Sequence, residues 1–529
     1  MPAHRQRPCL LDLPDDALLA IGSHLGPALQ DRLALTATCR RLRTLGAGPS
    51  PLWRTVSFST NKKHLARAGR ENRMLFAEAL AGTFACWLAP RLAAVESLSF
   101  TVLSPEPLVL PAGHPPVRLP ALLLVPPGGA FGGGGVALPA LRQLSIQWPG
   151  AAVLCFASAP PLPALRRLSL PDGTDLSVPA ATLLGPLPAQ LAQFELCDGS
   201  LSVERGPWLP PSLSALCLAG ARLRCLPDVL THLPQLRSLQ LSTNRLGSAP
   251  LDALGRLAAT LQELHLSETY LTSFPTQLSS LTALRVLYLH NAFHRSARLA
   301  PGDGDALRPL CRLAFLSISA NQLAALPPAV ADMTQLQGLH IEDNELAGGL
   351  PHAPCLAGLR ELLMDWQAAL DSAASLRAAI ALTRLILSGH RAVDLVGEQR
   401  LAIRPAAAAE PLLATLAALP ALRRVEDVFV GGEDVVTAPV AAVMWQLGGR
   451  CRHLRVGLLQ DANVGMTLAD LEKAEAAAGT AGAVGEAAVA CTAGPAAAAA
   501  AAAAEAAPAG RKGSAVSLSG RSFALPAQM

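Results

Sequence analysis

The sequence predicts an α/β solenoid, an array of similar short coils that each contribute one strand to a parallel sheet. Three observations support this prediction. Aliphatic triplets recur along the middle of the chain, an asparagine follows several of them at a fixed offset, and the composition is 51% hydrophobic but only 4% aromatic. Such a composition fits a core of aliphatic side chains. Repeats that cannot bury their apolar faces alone bury them by stacking on one another.

The repeat follows the pattern L-x-x-L-x-L-x-x-N-x-L, and one complete copy contains Leu236, Leu239, Leu241, Asn244 and Leu246. Alternate residues of a strand point to opposite sides, so we expect the leucines to face the core and their neighbours to face outwards. The asparagine amide can satisfy backbone groups where the chain turns away from the strand. Repeats begin at residues 213, 236, 261, 284, 313, 336, 359 and 382, in steps of 23 to 29 residues.

This pattern resembles the leucine-rich-repeat superfamily over residues 95–460. The resemblance implies a horseshoe-shaped solenoid whose concave face binds other proteins. The copies starting at 236, 313 and 336 are complete, whereas the others lack the asparagine. Weaker triplets extend the array at both ends, at Val95/Leu98/Phe100, Leu119/Leu122/Leu124, Leu141/Leu144/Ile146, Leu165/Leu168/Leu170, Leu191/Phe194/Leu196, Leu422/Val425 and Leu454/Val456.

Residues 11–57 predict a separate, short, all-helical module. Asp12 to Asp16 with Pro14 is typical of a helix start. Leu18, Ile21 and Leu25 then lie at helical spacing on one face. A second helix carries an apolar stripe of Leu35, Cys39 and Leu42, and the dipeptide Leu52-Trp53 comes after it as a late apolar anchor.

The order of these residues resembles an F-box. The resemblance implies a motif that docks on the SKP-family adaptor of a cullin-RING ubiquitin ligase. An alternative interpretation of the same segment is a cap that shields the first coil, although residues 58–94 already contain a candidate helical cap. The positions that match the motif, and would therefore contact the adaptor, are Leu13, Pro14, Ile21, Leu25, Leu35, Cys39, Leu52 and Trp53.

Outward-facing strand positions predict where a protein partner would bind. Neighbouring strands lie about 4.8 Å apart, so these side chains would form one contiguous patch. Aromatic side chains are favoured interface anchors, and they are rare in this chain. The predicted patch on the concave face contains Glu263, His265, Val286, Tyr288, His290, Phe315, Ser317, His340, Glu342, Glu361 and Asp365.

Other features argue against several functional classes. A net charge of +4 over 529 residues does not favour nucleic-acid binding, and we expect no membrane-spanning segment because proline and glycine interrupt the apolar windows. The 11 cysteines lack metal-ligand spacing. We therefore expect free thiols in the cytoplasm or nucleus, no cofactor and no metal. Residues 465–529 are rich in alanine and predict a disordered tail.

Together these patterns predict a chain that binds proteins and is not itself an enzyme. The first hypothesis is a substrate-recruiting subunit of an SCF-type ubiquitin ligase. Its partners would be the SKP-family adaptor, a cullin scaffold reached through that adaptor, and a protein substrate of unknown identity. The second hypothesis is a leucine-rich-repeat scaffold or signalling regulator without ubiquitin chemistry.

Overall fold

The computed structural model describes residues 51–60, 65, 72–104, 106–109, 117–125, 138–155, 161–171, 173–176, 187–201, 209–295, 297, 301–346, 348–388, 406–431 and 453–459. Predictions for residues 11–50 and 465–529 lie outside these ranges. The chain divides into two compact units, Met1–Thr269 (unit 1) and Tyr270–Met529 (unit 2). Each unit is described by itself.

Unit 1 contains a main sheet in which every neighbouring pair of strands is parallel, as the solenoid prediction requires. The sheet has the order β1-β2-β4-β6-β8-β10-β11-β12, while β3-β5-β7-β9 form a second parallel sheet. The strands are β1 (Thr55–Ser59), β2 (Ser97–Thr101), β3 (Val117–Pro120), β4 (Gln143–Gln147), β5 (Gly150–Cys155), β6 (Arg167–Leu170), β7 (Thr174–Leu176), β8 (Gln193–Leu196), β9 (Ser200–Leu201), β10 (Ala215–Cys217), β11 (Ser238–Gln240) and β12 (Glu263–His265).

Unit 2 continues the same kind of architecture, with strands that again pair in parallel and in chain order. These strands are β13 (Val286–Tyr288), β14 (Phe315–Ser317), β15 (Gly338–His340), β16 (Glu361–Asp365), β17 (Arg384–Ser388), β18 (Arg424–Gly431) and β19 (His453–Leu459).

Short helices occupy the return path of most coils. Pro227, Pro275 and Pro327 each have an extended backbone and directly precede a helical turn, which fits proline at a helix start because proline has no N–H to donate. The α-helices are α1 (Arg73–Leu88), α2 (Ala121–Leu124), α3 (Pro328–Ala331), α4 (Trp366–Asp371) and α5 (Ala406–Ala418); the 3-10 helices are Pro51–Trp53, Ala89–Ala94, Asp228–His232, Asp252–Leu257, Thr276–Ser280, Pro301–Leu307, Pro354–Gly358 and Ser375–Ala378. In the ranges that the structure describes, none of the helices has the length and apolarity to span a bilayer.

The register of the strands stacks the predicted leucines in rows. Leu216 pairs with Leu239 in unit 1, and in unit 2 Leu316 pairs with Leu339, which pairs with Leu362. All of them are almost completely buried. Burying one such side chain contributes about 1.5–3 kcal/mol, so the repeated triplets are a main source of stability. The repeat prediction is confirmed for these coils.

The asparagine of the complete repeats links each coil to the one before it. Asn321 Oδ1 accepts a hydrogen bond from the N–H of Ala292 at 2.9 Å, while its Nδ2 donates to the carbonyls of Leu289 and Ile318 at 2.7 and 2.9 Å. Asn344 makes equivalent bonds one coil later, with Nδ2 donating to Ile318 O at 3.0 Å. The amide therefore satisfies turn groups that would otherwise be buried without partners.

Two boundaries of the predicted array differ from the structure. Within the part of the chain that the structure describes, the main sheet begins at Thr55 rather than at residue 95, because β1 pairs along its whole length with β2. The triplet Leu119/Leu122/Leu124 does not form a coil of the main sheet, since β2 pairs directly with β4. Instead, β3 belongs to the second sheet and α2 comes directly after it. Apolar spacing alone resembles a repeat here, but tertiary pairing decides which sheet the strand joins.

The first described helix, α1, covers the start of the main sheet in unit 1. Phe84 from this helix packs against both Phe58 of β1 and Phe100 of β2, with ring centroids 5.0 and 5.3 Å away, and the latter two rings also contact each other at 5.3 Å. Met74 and Leu88 on the same helix are fully buried. An apolar helix packed on the first two strands shields their apolar side chains from solvent, as the cap of a solenoid does. This arrangement fits the candidate cap that the sequence predicts within residues 58–94.

Candidate protein-binding surface

The predicted adaptor-binding residues fall into two groups. Leu13, Pro14, Ile21, Leu25, Leu35 and Cys39 lie outside the described residues. Leu52 and Trp53 are described, and their side chains have relative exposures of 1% and 0%. The structure therefore gives a setting only for the last two members of the motif.

Leu52 and Trp53 are held inside unit 1. The Trp53 ring meets Trp87 of α1 edge to face, with 5.2 Å between the ring centroids. The guanidinium of Arg91 lies 4.3 Å from the centroid of Trp87 and 5.4 Å from that of Trp53, within the range of a cation–π contact. The Trp53 side chain thus fastens the segment before β1 to α1. The contact of Leu52 and Trp53 with an adaptor stays a prediction, and their burial does not favour it.

The outer face of the unit 1 sheet is mainly polar. Ser57, Ser99, Ser145 and Ser169 lie next to one another in register across four strands. At the other end of this sheet, His265 Nε2 lies 2.8 Å from Glu263 Oε1. This hydrogen bond is the main reason that the pKa of Glu263 is lowered. The predicted residues Glu263 and His265 are therefore paired with each other.

The outer face of unit 2 carries an aromatic group on neighbouring strands. The rings of Tyr288 and Phe315 have centroids 5.0 Å apart, and Phe315 meets His340 edge to face at 4.7 Å. Gly338 makes room for this arrangement, because a Cβ atom there would lie 2.5 Å from Phe315 Cδ2. Three of the predicted binding residues are thus brought into direct contact.

Charged side chains lie next to this aromatic group, on the strands that follow. His340 Nε2 lies 3.0 Å from Glu361 Oε1, and Arg384 Nη1 donates to the same oxygen at 3.3 Å. Glu361 has a lowered pKa, first because of the hydrogen bond from His340 and further because of the positive charge of Arg384. We call Tyr288, Phe315, His340, Glu361 and Arg384 the β13–β17 cluster. The cluster has aromatic rings at one end and charged side chains at the other, on the same face of the sheet.

The remaining predicted residues lie beside the cluster and differ in their roles. His290 Nδ1 contacts Ser319 Oγ at 2.9 Å. One carboxylate oxygen of Glu342, Oε2, is buried without a hydrogen-bond partner. Asp365 has a structural role, since its two carboxylate oxygens accept hydrogen bonds from the backbone N–H groups of Asp343 and Asn344 at 3.0 and 3.2 Å. Burial raises the pKa of Asp365. Asp365 therefore links two coils and is poorly placed to offer its carboxylate to a partner.

The sequence prediction missed two members of this surface. Gly338 occupies an outward position but has no side chain to contribute, and only the Phe315 ring above it reveals its role. Arg384 stands at the outward position of β17, directly opposite Glu361 in the register. The repeat spacing could have placed Arg384 in the patch. Among the residues that the structure describes, no group of three or more His, Cys, Asp or Glu side chains is arranged to hold a metal ion.

Comparisons with known proteins separate the two parts of the chain. Residues 10–59 match the F-box-like family. Podocan-like protein 1 from Homo sapiens is 34% identical over 151 residues, 28% of this chain and 28% of that protein. An adenylate cyclase from Podospora anserina is 32% identical over 141 residues, 27% of this chain and 6% of that protein. The chain thus matches less than a third of the length of either relative.

Solved structures with related backbones have low overall similarity. An LRR protein from Leptospira interrogans is 21% identical, with a TM-score of 0.32 over 56% of this chain and 84% of its own. An internalin from Listeria monocytogenes is 15% identical, with a TM-score of 0.34 over 58% of this chain and 79% of its own. The fold assignment rests instead on the parallel strands, the leucine rows and the asparagine bonds.

Those strands, rows and bonds define a leucine-rich-repeat protein, a class whose members bind other molecules through the surface of a stacked sheet. A second family similarity concerns the segment that precedes the main sheet. Because residues 10–59 match the F-box-like family, the chain combines an F-box-like segment with leucine-rich repeats. F-box segments generally bind SKP-family adaptors, and the repeats indicate protein binding.

Proposed function

We propose that this chain is the substrate-recruiting subunit of an SCF-type ubiquitin ligase. The F-box-like segment would dock on an SKP-family adaptor and, through it, on a cullin scaffold, while the repeats hold a protein substrate. Ubiquitin transfer would be carried out by other subunits, so the chain itself needs no catalytic residue. The described cysteines are free thiols, which favours a reducing compartment such as the cytoplasm or nucleus.

The β13–β17 cluster is the observation that supports a substrate-binding role for the repeats. The chain has 12 phenylalanines and 2 tyrosines, and Tyr288 and Phe315 lie in contact on the outer face of unit 2. Aromatic anchors at the centre of an interface, next to a charged pair, are typical of residues that dominate binding energy. An apolar side chain of the substrate would lie on the two rings, with a polar group directed towards Glu361 and Arg384.

The adaptor arm is tested by co-purification with an SKP-family adaptor. A double variant, Ile21→Asp with Leu25→Asp, should lose the adaptor while the wild type retains it. Leu75→Asp with Phe76→Asp is the matched control, since these two apolar side chains are 44% and 40% exposed on α1, outside the motif. Adaptor capture by neither wild type nor control would contradict the ligase role and favour a scaffold without ubiquitin chemistry.

The substrate arm is tested by replacing Tyr288 and Phe315 with alanine. Truncation of an interface anchor costs about 2 kcal/mol or more, so we expect at least about 30-fold weaker binding to partners identified by quantitative mass spectrometry. Tyr270→Ala is the matched control, because Tyr270 is 53% exposed and lies outside the cluster. Equal capture of the same partners by both variants would remove the cluster from the proposal.

A further inference from the structure

Two cysteines that are far apart in the sequence meet on the outer face of unit 1. Cys217 ends β10 and lies opposite Glu195 of β8 in the register, while Cys197 comes directly after the last residue of β8. Their Sγ atoms are 3.5 Å apart. The two cysteines lie 20 positions apart in the sequence, at the ends of the neighbouring strands β8 and β10, so stacking of these strands brings them together.

Both thiols are accessible to a small reagent, but each has different neighbours. Each is half-buried, and Cys217 Sγ contacts Gln240 Oε1 at 3.3 Å, while Cys197 Sγ contacts Glu195 Oε1 at 3.5 Å. The hydrogen bond between the thiols lowers the pKa of Cys217 and raises that of Cys197. The negative charges of Glu195 and Asp198 raise the pKa of Cys217, but the hydrogen bond from Cys197 outweighs them and the pKa of Cys217 is lowered. The pair therefore favours one thiolate, on Cys217, next to one protonated thiol.

We propose that Cys197 and Cys217 form a dithiol site that small-molecule disulfides, such as oxidised glutathione, convert to an intrachain disulfide. The Cys217 thiolate attacks one sulfur of oxidised glutathione, the glutathione S–S bond breaks, and one glutathione thiolate leaves. Cys197 then gives its proton to solvent and attacks Cys217 Sγ in the mixed disulfide, and the second glutathione thiolate leaves. Two protein thiols are oxidised, and one glutathione disulfide is reduced to two glutathione thiols.

Proximity separates this pair from the other described cysteines. A disulfide requires the two sulfurs to approach to about 2.05 Å, so their separation of 3.5 Å has to shorten by about 1.5 Å. Cys86, Cys225 and Cys311 are exposed, and Cys355 is buried. Burial raises the pKa of Cys355 to about 11, which leaves it largely unreactive at neutral pH. Exposed single thiols such as Cys225 and Cys311 should stop at the mixed disulfide, because among the described cysteines only Cys197 and Cys217 have their sulfurs in contact.

The test treats the folded full-length chain with oxidised glutathione at neutral pH and maps its peptides without reduction by mass spectrometry. We expect the peptides of Cys197 and Cys217 to be joined and free of glutathione, while those of Cys225 and Cys311 carry it. The proposal would be overturned if Cys197 and Cys217 each retained their own glutathione. It would also be overturned if the pair did not react while Cys225 and Cys311 did.

A variant and a denatured control show whether the fold creates the site. In Cys197→Ser, Cys217 should accumulate a stable mixed disulfide, because the resolving thiol is gone. In concentrated urea, the wild-type equilibrium yield of the Cys197–Cys217 bond, measured against a series of glutathione ratios, should fall at least about tenfold, since stacking no longer holds the sulfurs together. An unchanged yield in urea would show that the folded coils do not favour the bond, contrary to the proposal.

Discussion

The coils around β5, β7 and β9 in unit 1 and the coils around Asn321 and Asn344 in unit 2 return to the next strand in different ways. In unit 1, the chain leaves the main sheet and forms a strand of a second parallel sheet. In unit 2, α3 and short 3-10 helices occupy the return path. The strands of the main sheet carry the same buried aliphatic pattern in both regions. The aliphatic triplet therefore specifies the first strand, and other residues decide the return path of the coil.

Small residues explain the second sheet in unit 1. A Cβ atom on Gly150 would lie 2.5 Å from the carbonyl oxygen of Leu108, and one on Gly199 would collide with the carbonyl oxygen of Thr174. Glycine thus lets the backbones of neighbouring coils approach closely enough to pair. In unit 2, Asn321 satisfies the turn with its side chain, and Pro327 then starts a helix. The return segments of these unit 1 coils are thus joined through backbone pairing, and those of the unit 2 coils through an amide side chain.

The largest effect is expected from adding a methyl group where the second sheet is tightest. Gly199→Ala forces the backbone away from Thr174 and should lower the free energy of unfolding of unit 1 by about 3 kcal/mol. Amide hydrogen exchange should show faster exchange around β7 and β9 and little change in unit 2. Gly255→Ala is the matched control, because nothing lies within 4 Å of the added atom. Equal exchange in both variants would contradict the close-approach explanation.

The next effect concerns the amide bonds of unit 2. Asn321→Ala removes four side-chain hydrogen bonds, to Ala292, Phe293, Leu289 and Ile318, and leaves buried backbone groups without partners. We expect a loss of about 2 kcal/mol, read from the urea midpoint and from hydrogen exchange at β13–β15. Gln335→Ala removes an amide from an exposed position in the same unit and should change little. A midpoint in Asn321→Ala equal to that of the control would show that the amide bonds do not stabilise these coils.

The smallest effect is a pH dependence in the β13–β17 cluster. Because the pKa of Glu361 is lowered in the folded state, its contribution to stability is present above the pKa of the unfolded chain and is lost as the pH falls through the folded value. The carboxylate is partly exposed, so this contribution is about 0.5 kcal/mol. Glu361→Gln should be less stable than the wild type at pH 7, and the difference should shrink as the pH falls below about 4.3, the ordinary pKa of a glutamate.

The control for this pH dependence is Glu345→Gln, which changes an exposed glutamate of the same unit. The urea midpoints of wild type and control should run in parallel from pH 7 to pH 3. A constant difference between wild type and Glu361→Gln over this range would mean that His340 and Arg384 do not favour the charged form of Glu361.

The candidate surface shows how far outward strand positions predict contacts. Tyr288, Phe315 and His340 were predicted from the repeat register, and the structure places their rings together. Asp365 was predicted from the same register, yet its carboxylate caps the backbone of the preceding coil. The pairing of Cys197 with Cys217 was not predicted, because the repeat pattern does not state which outward side chains meet diagonally between coils.

The sequence by itself determined the repeat unit, the buried leucine rows and the asparagine positions, because these depend on spacings within one coil and on simple strand alternation. Only the tertiary structure decided that β1 begins the sheet, that β3 joins a second sheet, and that Trp53 is buried against Trp87. The physical reason is that pairing, close approach and burial depend on neighbouring coils, whose contacts are not encoded within any single repeat.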